Sequence, residues 1–148
     1  LRLHASRFQI IPPSEAVVEP VEAGQAARVL LVDDDQRLLP VLSDMMRAGG
    51  HAVTTAASGE EALALFDPAA HDVVITDLGM PRVNGWQVAE RVKTRSPDTA
   101  VFLLTGWGEG VIASEASRFV DQVLAKPIST DALLEQLAGV RRSDAASA

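Results

Sequence analysis

Five short apolar runs alternate with stretches of helical periodicity, and this alternation restricts the fold more than any other feature of the sequence. Four of the five runs are continuously apolar, as strands buried on both faces of a sheet are. A strand followed by a helix, repeated five times, predicts an α/β fold in which a parallel sheet is covered by helices on both sides. The five runs are Arg28–Val32, His51–Ala56, Asp72–Thr76, Ala100–Leu104 and Gln122–Ala125.

The stretches between the runs place apolar residues on one helical face. Ser58 and Glu61 stand at the spacing of a capping box, which predicts the start of the second helix. The segment after the fourth run is the weakest. The glycines of Gly106–Gly110 disfavour a helix, and we expect only a short one at Val111–Arg118. The apolar faces are Leu38, Leu39, Leu42, Met45 and Met46; Ala62, Leu63 and Phe66; Trp86, Val88, Ala89 and Val92; and Leu133, Leu134 and Leu137.

The alternation begins near Arg28, and the residues before it differ in composition. Ser6–Pro13 could form one short strand, and Ser14–Ala27 is a connector rich in Pro, Glu and Ala. Leu1 rather than Met begins the sequence, which leads us to expect a piece of a longer protein. We therefore expect an N-terminal extension at 1–27, a compact domain at 28–141 and a flexible tail at 142–148.

Composition excludes several classes of function. The 148 residues contain no cysteine, which rules out a disulfide framework and thiol chemistry and agrees with a cytoplasmic location. The net charge of −7 and the scattered basic residues argue against nucleic acid as the partner. No apolar run approaches the roughly 18 to 20 residues of a membrane span, and no signal-peptide pattern is present. We expect no membrane contact by this domain, although its parent protein could be membrane-anchored.

Polar side chains stand at the carboxyl ends of four runs, the edge where open α/β sheets carry their sites. Asp33 and Asp34 follow the first run and Asp77 the third; Thr105 follows the fourth and Lys126 the fifth. Three carboxylates that repel one another favour a hard divalent cation, and Mg²⁺ prefers such oxygen ligands. An Asp carboxylate can attack a phosphoryl group to give an acyl phosphate.

This donor set predicts a role for each side chain. Asp77 is the candidate nucleophile, and Asp33 and Asp34 are candidate ligands of Mg²⁺. Phosphoryl transfer relies on neutralising charge spread over three oxygens, so Lys126 and the Thr105 hydroxyl would each hold one of those oxygens.

The motifs VLLVDDD, DVVITDLGMP, VFLLTG and VLAKPI, in this order, resemble the receiver domain of two-component response regulators over about Arg28 to Val140. The resemblance implies a flavodoxin-like, doubly wound fold with a five-stranded parallel sheet of order 2-1-3-4-5 and five helices. It also implies that Asp77 is the phosphoacceptor and that the backbone carbonyl of Gly79 joins Asp33, Asp34 and Asp77 as a metal ligand. Thr105 would then be the switch hydroxyl and Lys126 the cation that pairs with phosphate.

Three positions depart from the family pattern. Val123 stands where the family usually has Tyr or Phe, and Phe119 and Val120 replace a small Gly-Ala pair. A stiff β-branched side chain has no ring to swing, so we expect little rotamer change at Val123 on activation. The resemblance further implies a cis peptide bond between Lys126 and Pro127.

Three alternatives stay open. Asp33 and Asp35 match the DxD nucleophile motif of haloacid-dehalogenase-like phosphatases, although only Asp131 and Asp144 are available after Lys126 for their late acidic pair. The chain could also be a stand-alone single-domain response regulator, or a receiver fold that binds partners without phosphorylation.

The N-terminal extension suggests where the chain comes from. Ser6–Pro13 resembles the last strand of a histidine-kinase ATP-binding domain, so we expect the carboxy-terminal receiver of a hybrid sensor histidine kinase. The receiver would catalyse its own phosphorylation and dephosphorylation, and its partner would be the phosphotransfer domain of a histidine kinase, in cis or in trans, or a separate Hpt protein. His4, His51 and His71 have no carboxylates at relay spacing; we expect them at the surface and the chain to be the phosphoryl acceptor.

Overall fold

All five apolar runs form strands in a computed structural model of the chain, which describes residues 26–106 and 118–140. Most boundaries agree with the predicted ones within a residue. Asp77 and Thr105 are the last residues of their strands rather than the first residues after them. In chain order the elements are β1 (Arg28–Val32), α1 (Leu38–Ala48), β2 (Ala52–Ala56), α2 (Gly59–Leu65), β3 (Val73–Asp77), α3 (Gly85–Arg95), β4 (Ala100–Thr105), β5 (Gln122–Ala125) and α4 (Thr130–Ala138).

The strands form one parallel sheet in the order β2-β1-β3-β4-β5, which confirms the predicted topology. Because every ladder is parallel, the carboxyl ends of all five strands meet at one edge. We call this the site edge, and the edge where the strands begin the entry edge. The three inner strands are almost completely buried, and β2 and β5 carry exposed residues, as edge strands do.

Helices cover both faces of the sheet. The sheet separates the apolar core into two clusters, one on each face. On one face α1 and α4 pack on Val29, Leu31 and Ile75. On the other face α2 and α3 pack on Leu30 and Val74. Adjacent strand residues point to opposite faces, so this division follows from the continuously apolar runs.

The start of α2 forms the Ser58 half of the predicted capping box, whereas Glu61 reaches one residue further back than such a box requires. At α2 the Ser58 hydroxyl accepts the Glu61 N–H (3.0 Å), and the Glu61 carboxylate accepts the Ala57 N–H (2.7 Å). The helix expected at Val111–Arg118 lies outside the described residues, except for Arg118 itself. Within residues 26–106 and 118–140, no helix is long and apolar enough to cross a bilayer.

An ion pair ties β1 to β3 at the entry edge. The fully buried Asp72 carboxylate accepts the Nε and NH2 groups of Arg28, at 3.0 and 2.7 Å, and also the Arg28 backbone N–H (2.9 Å). The Arg28 guanidinium also donates to the Ala69 carbonyl (2.9 Å). Planar two-point pairing of this kind is the strong form of a salt bridge.

The expectation of surface histidines is wrong for His51 and His71, which are 5% and 6% exposed. His51 Nδ1 accepts the Ala27 N–H (2.9 Å), and His71 Nδ1 accepts the Asp67 N–H (3.1 Å). Both rings therefore satisfy buried backbone donors, which is a structural task. His4 lies outside the described residues.

These buried rings predict a loss of stability in acid. Burial lowers the pKa of His51 and of His71 below the ordinary 6.5, so the unfolded chain takes up protons first as the pH falls. The free energy of unfolding should therefore be highest above about pH 6.5 and should decline below it. Urea unfolding across this range tests the expectation. His51→Asn keeps an acceptor near the Nδ1 position but cannot titrate, so its stability should decline less steeply; an equal decline would contradict the role of His51.

Candidate functional site

Three strand ends bring the predicted polar residues together at the site edge. Asp33 follows β1, Asp77 ends β3 and Lys126 follows β5. Lys126 Nζ lies 3.1 Å from an Asp33 carboxylate oxygen and 2.9 Å from an Asp77 carboxylate oxygen. One ammonium group therefore links two carboxylates that are 44 residues apart in the sequence.

Asp33 is the most enclosed of these acids, with a side chain that is fully buried. One of its oxygens accepts the Asp35 N–H (2.9 Å) and the other faces Lys126. Burial raises the pKa of Asp33, and the nearby charge of Asp77 raises it further, against the opposing effect of the Asp35 N–H and Lys126. A nearby cation would therefore stabilise the buried Asp33 carboxylate.

Lys126 is such a cation. Burial lowers the pKa of its ammonium group, but hydrogen bonds to Asp77 and Asp33 outweigh burial, and the pKa lies above its ordinary value. The side chain is thus a permanent cation at neutral pH. The Lys126–Pro127 peptide bond is cis, as expected.

Carboxylate oxygens of Asp33, Asp34 and Asp77 all lie within 4.8 Å of one another. Asp34 is exposed, Asp77 is partly exposed and Asp33 is buried, so the group opens from the sheet edge toward solvent. Gly79, two residues after Asp77, is also exposed. Three carboxylates beside open solvent suit Mg²⁺, which keeps several of its waters. The donor set therefore fits this ion.

Thr105 ends β4, beside the strand that carries Asp77. Its side chain is buried, with the residue 3% exposed, and its carbonyl accepts the Lys126 N–H (2.9 Å). This backbone bond extends the β4–β5 ladder by one residue and aligns the Thr105 and Lys126 strand ends. All five residues predicted from strand ends thus lie at one edge of the sheet.

Asp35 has a different task from its neighbours. Its carboxylate accepts the Arg37 N–H (3.0 Å) and the Leu38 N–H (3.3 Å), so it caps the first turn of α1. The Arg37 N–H is the main cause of a lowered pKa at Asp35. A carboxyl group held as an anion is poorly suited to donate a proton to a leaving group.

The positions that depart from the family pattern lie at and before β5. Val123 is partly buried in β5 opposite Leu103 of β4. Phe119 and Val120 pack against the apolar cluster on the α2 and α3 face. The larger side chains at 119 and 120 are therefore partly buried against the core on that side of the sheet.

An apolar groove of about 370 Å³ lies beside Lys126, between α1 and the segment after β5. Sequence periodicity assigned Leu38, Leu42 and Met45 to the core side of α1, but these residues also form one wall of the groove. Val41, on the same wall, is 53% exposed. We call this feature the α1 groove; its residues are Leu38, Val41, Leu42, Met45, Leu104, Lys126, Pro127 and Ile128.

Comparison with known proteins identifies related sequences. Residues 29–138 match the family model described as response regulator receiver domain. The response regulator protein FleR of Pseudomonas aeruginosa is 40% identical over 114 residues, which cover 76% of this chain and 24% of FleR. The virulence sensor protein BvgS of Bordetella pertussis is 36% identical over 138 residues, which cover 87% of this chain and 11% of BvgS. The chain thus spans only a minor part of either relative.

Solved structures of response regulators are also similar to this chain. The response regulator TrrA of Thermotoga maritima, in complex with Mg²⁺ and BeF, superposes with a TM-score of 0.70 at 31% identity, covering 75% of this chain and 96% of that one. The chemotaxis protein CheY4 of Vibrio cholerae superposes with a TM-score of 0.72 at 32% identity, covering 78% of this chain and 99% of that one. Both likenesses extend over nearly the whole of the compared structure.

Proposed function

The chain belongs to the response regulator receiver family, and from that premise we propose that Asp77 accepts the phosphoryl group and that Asp33, Asp34 and the Gly79 carbonyl serve with it as metal ligands. The observation that carries the proposal is the Lys126 ammonium, which lies 2.9 Å from Asp77 within the three-carboxylate group. A receiver of a two-component system needs one carboxylate that is reachable from solvent and paired with a fixed cation. Asp77 meets both requirements.

The proposed transfer is a direct displacement at phosphorus. A carboxylate oxygen of Asp77 forms a bond to phosphorus while the bond from phosphorus to the donor's imidazole nitrogen breaks, and the electron pair of that bond leaves with the imidazole. Lys126 and the Thr105 hydroxyl hold oxygens of the transferring group. Their contribution is electrostatic, because phosphoryl transfer needs positioning and charge neutralisation more than covalent assistance.

The three carboxylates and the Gly79 carbonyl would hold Mg²⁺. When bound, the ion neutralises charge on the carboxylates and on the phosphoryl oxygens. Asp33 gains most from a second cation, because it is fully buried and Lys126 must serve Asp77 as well.

Peptide mapping after treatment with acetyl phosphate and Mg²⁺ tests the assignment. We expect the phosphoryl group on the peptide that carries Asp77. The phosphatase alternative predicts modification of Asp33, with Asp35 as its acid. Membership of the receiver family and the capping role of Asp35 both weigh against that alternative.

Asp34→Asn should chiefly weaken metal binding. Asp34 is exposed at the mouth of the carboxylate group, so its loss should leave the fold intact while Mg²⁺ affinity falls by about tenfold or more. A Mg²⁺ titration monitored by calorimetry measures the change. Asp35→Asn is the matched control, because asparagine can still cap α1. Equal Mg²⁺ affinity in Asp34→Asn and the wild type would remove Asp34 from the ligand set.

We further propose that the phosphoryl group comes from a histidine-kinase phosphotransfer domain, in the same chain or in a separate protein. Similarity to the sensor protein BvgS supports the first arrangement. It covers 87% of this chain, more than the receiver match at 29–138, so the alignment continues into the flanking residues. A full-length sequence with kinase motifs upstream of Leu1 would agree with a hybrid kinase; their absence would favour a stand-alone regulator.

The α1 groove is the surface on which that partner should pack. A phosphohistidine must come within bonding distance of Asp77, and the groove is an apolar surface next to Lys126. Val41→Asp should therefore slow transfer from a histidine kinase that phosphorylates the wild-type chain. We expect about a tenfold effect, equivalent to roughly 1.4 kcal/mol.

The same variant supplies its own control. Transfer from acetyl phosphate should be unchanged in Val41→Asp, because a small donor needs no docking surface. Leu65→Asp, at an exposed apolar residue of α2, should affect neither donor. A kinase that phosphorylates Val41→Asp at the wild-type rate would exclude the groove as its contact.

A further inference from the structure

Gly85, the first residue of α3, lies against the backbone that carries Asp77. A Cβ atom at this position would stand 2.9 Å from Leu78 Cα and 2.7 Å from Leu103 Cδ1, and closer still to the Asp77 carbonyl oxygen. Real Cβ atoms essentially never come within 3.0 Å of such neighbours. The backbone of Gly85 is not in the left-handed region, so lack of space alone excludes a side chain here.

This contact holds the residue between the nucleophile and the Gly79 carbonyl. The Leu78 N–H donates to the Leu104 carbonyl of β4 (3.0 Å), and the Leu78 carbonyl accepts the Gly85 N–H (2.9 Å). Both backbone groups of Leu78 are thus fixed, one by the sheet and one by the start of α3. Leu78 itself is buried, 5% exposed.

We propose that Gly85 is a positioning residue for the phosphorylation site. Its bare backbone lets α3 press against the Asp77–Gly79 segment, so that the Asp77 carboxylate and the Gly79 carbonyl are aligned toward one metal ion before that ion binds. The inference rests on the proposed roles of Asp77 and Gly79.

Another glycine offers a matched control. A Cβ at Gly49 would also be too close to a neighbour, 2.6 Å from Leu134 Cδ2, but that atom ends a side chain in the core between α1 and α4. Gly49→Ala therefore crowds the core without touching the segment from Asp77 to Gly79. Gly139→Ala meets only an ordinary contact, 3.7 Å from the Gln136 carbonyl, and should change nothing.

The test compares Gly85→Ala with Gly49→Ala by three measurements. These are the free energy of unfolding, the Mg²⁺ dissociation constant and, without metal, hydrogen exchange at the Leu78 amide. We expect Gly85→Ala to weaken Mg²⁺ binding about tenfold and to speed Leu78 exchange, in line with the effect of losing a residue that supports a metal ligand. Gly49→Ala should lose stability but keep the Mg²⁺ affinity. Unchanged affinity in Gly85→Ala, or an equal loss in both variants, overturns the proposal.

A double variant separates two effects of a Cβ at position 85: the clash with the Asp77 and Leu78 backbone and the clash with the Leu103 side chain. Leu103→Val removes the δ carbons that an added Cβ would meet but leaves the contacts with Asp77 and Leu78. Mg²⁺ affinity should not recover in Gly85→Ala/Leu103→Val. Recovery would assign the effect to core packing and refute the positioning role.

The unsubstituted chain keeps the proposal testable if Gly85→Ala does not fold. Exchange at the Leu78 amide should be slow before Mg²⁺ is added and should change little afterwards. If the Leu78 amide becomes protected only after Mg²⁺ is added, the metal ligands are not aligned before the ion binds, and the proposal is refuted. These measurements do not use phosphorylation, so they stand apart from the mapping of Asp77: a phosphorylated Asp77 with a rapidly exchanging Leu78 refutes this inference alone.

Discussion

Replacing Asp77 with asparagine is expected to abolish acyl-phosphate formation. The amide keeps the size of the side chain and an oxygen that can accept from Lys126, so the fold and the Lys126 contact should survive. It lacks the carboxylate oxygen that must form the bond to phosphorus. Incubation with radiolabelled acetyl phosphate and saturating Mg²⁺ measures the loss, which should be complete.

The Asp34→Asn variant is the natural comparison. The proposed ligand role of Asp34 places the defect in metal affinity, so a higher Mg²⁺ concentration should restore phosphorylation, whereas no concentration should restore it in Asp77→Asn. Asp98→Asn changes an exposed acid beyond the end of α3 and should behave as the wild type. Label incorporated into Asp77→Asn at the wild-type rate would show that another residue is the acceptor.

The second large effect concerns stability. Asp72→Ala should lower the free energy of unfolding by about 3 kcal/mol, the lower end of the cost of breaking a buried ion pair. The Asp72 side chain is fully buried and accepts three N–H groups of Arg28, which is itself only 23% exposed. Removing the carboxylate leaves this guanidinium without its main counter-charge, and urea unfolding at neutral pH measures the result.

An exposed ion pair supplies the control. Arg82 Nε lies 2.6 Å from a Glu60 carboxylate oxygen, closer than the Arg28 contacts, but both side chains are well exposed. Water screens such a pair, so Glu60→Ala should leave stability almost unchanged. If Glu60→Ala and Asp72→Ala lose equal free energy of unfolding, burial does not account for the effect of Asp72→Ala.

The placement of the candidate site residues could be predicted from the sequence, because they follow strands whose ends share one edge of the sheet. Parallel strands end at a common edge, so a polar residue that follows an apolar run has a predictable place. Asp33, Asp77 and Lys126 belong to this class, and the structure brings them within hydrogen-bonding distance. The contacts by which Asp35 caps α1 are also local, since its partners are two and three residues away.

Features that depend on distant packing could not be read in this way. His51 is buried because a backbone N–H 24 residues earlier donates to its ring, and Asp72 is buried because Arg28 meets it from 44 residues away. Neither His51 nor Asp72 has a neighbour in the sequence that signals its distant partner. The requirement for glycine at position 85 likewise depends on where Asp77 and Leu78 lie, which helical periodicity does not report.

The chain enters the domain at the entry edge, at the opposite end of the strands from Asp77. A force applied at the Ala26 end of the domain would be carried first by β1, which is hydrogen-bonded to β2 on one side and β3 on the other. Two ladders loaded in shear share that force, and the Arg28–Asp72 ion pair reinforces the first rung. A load applied at this end of β1 would therefore reach the sheet far from Asp77 and leave the three-carboxylate group in place.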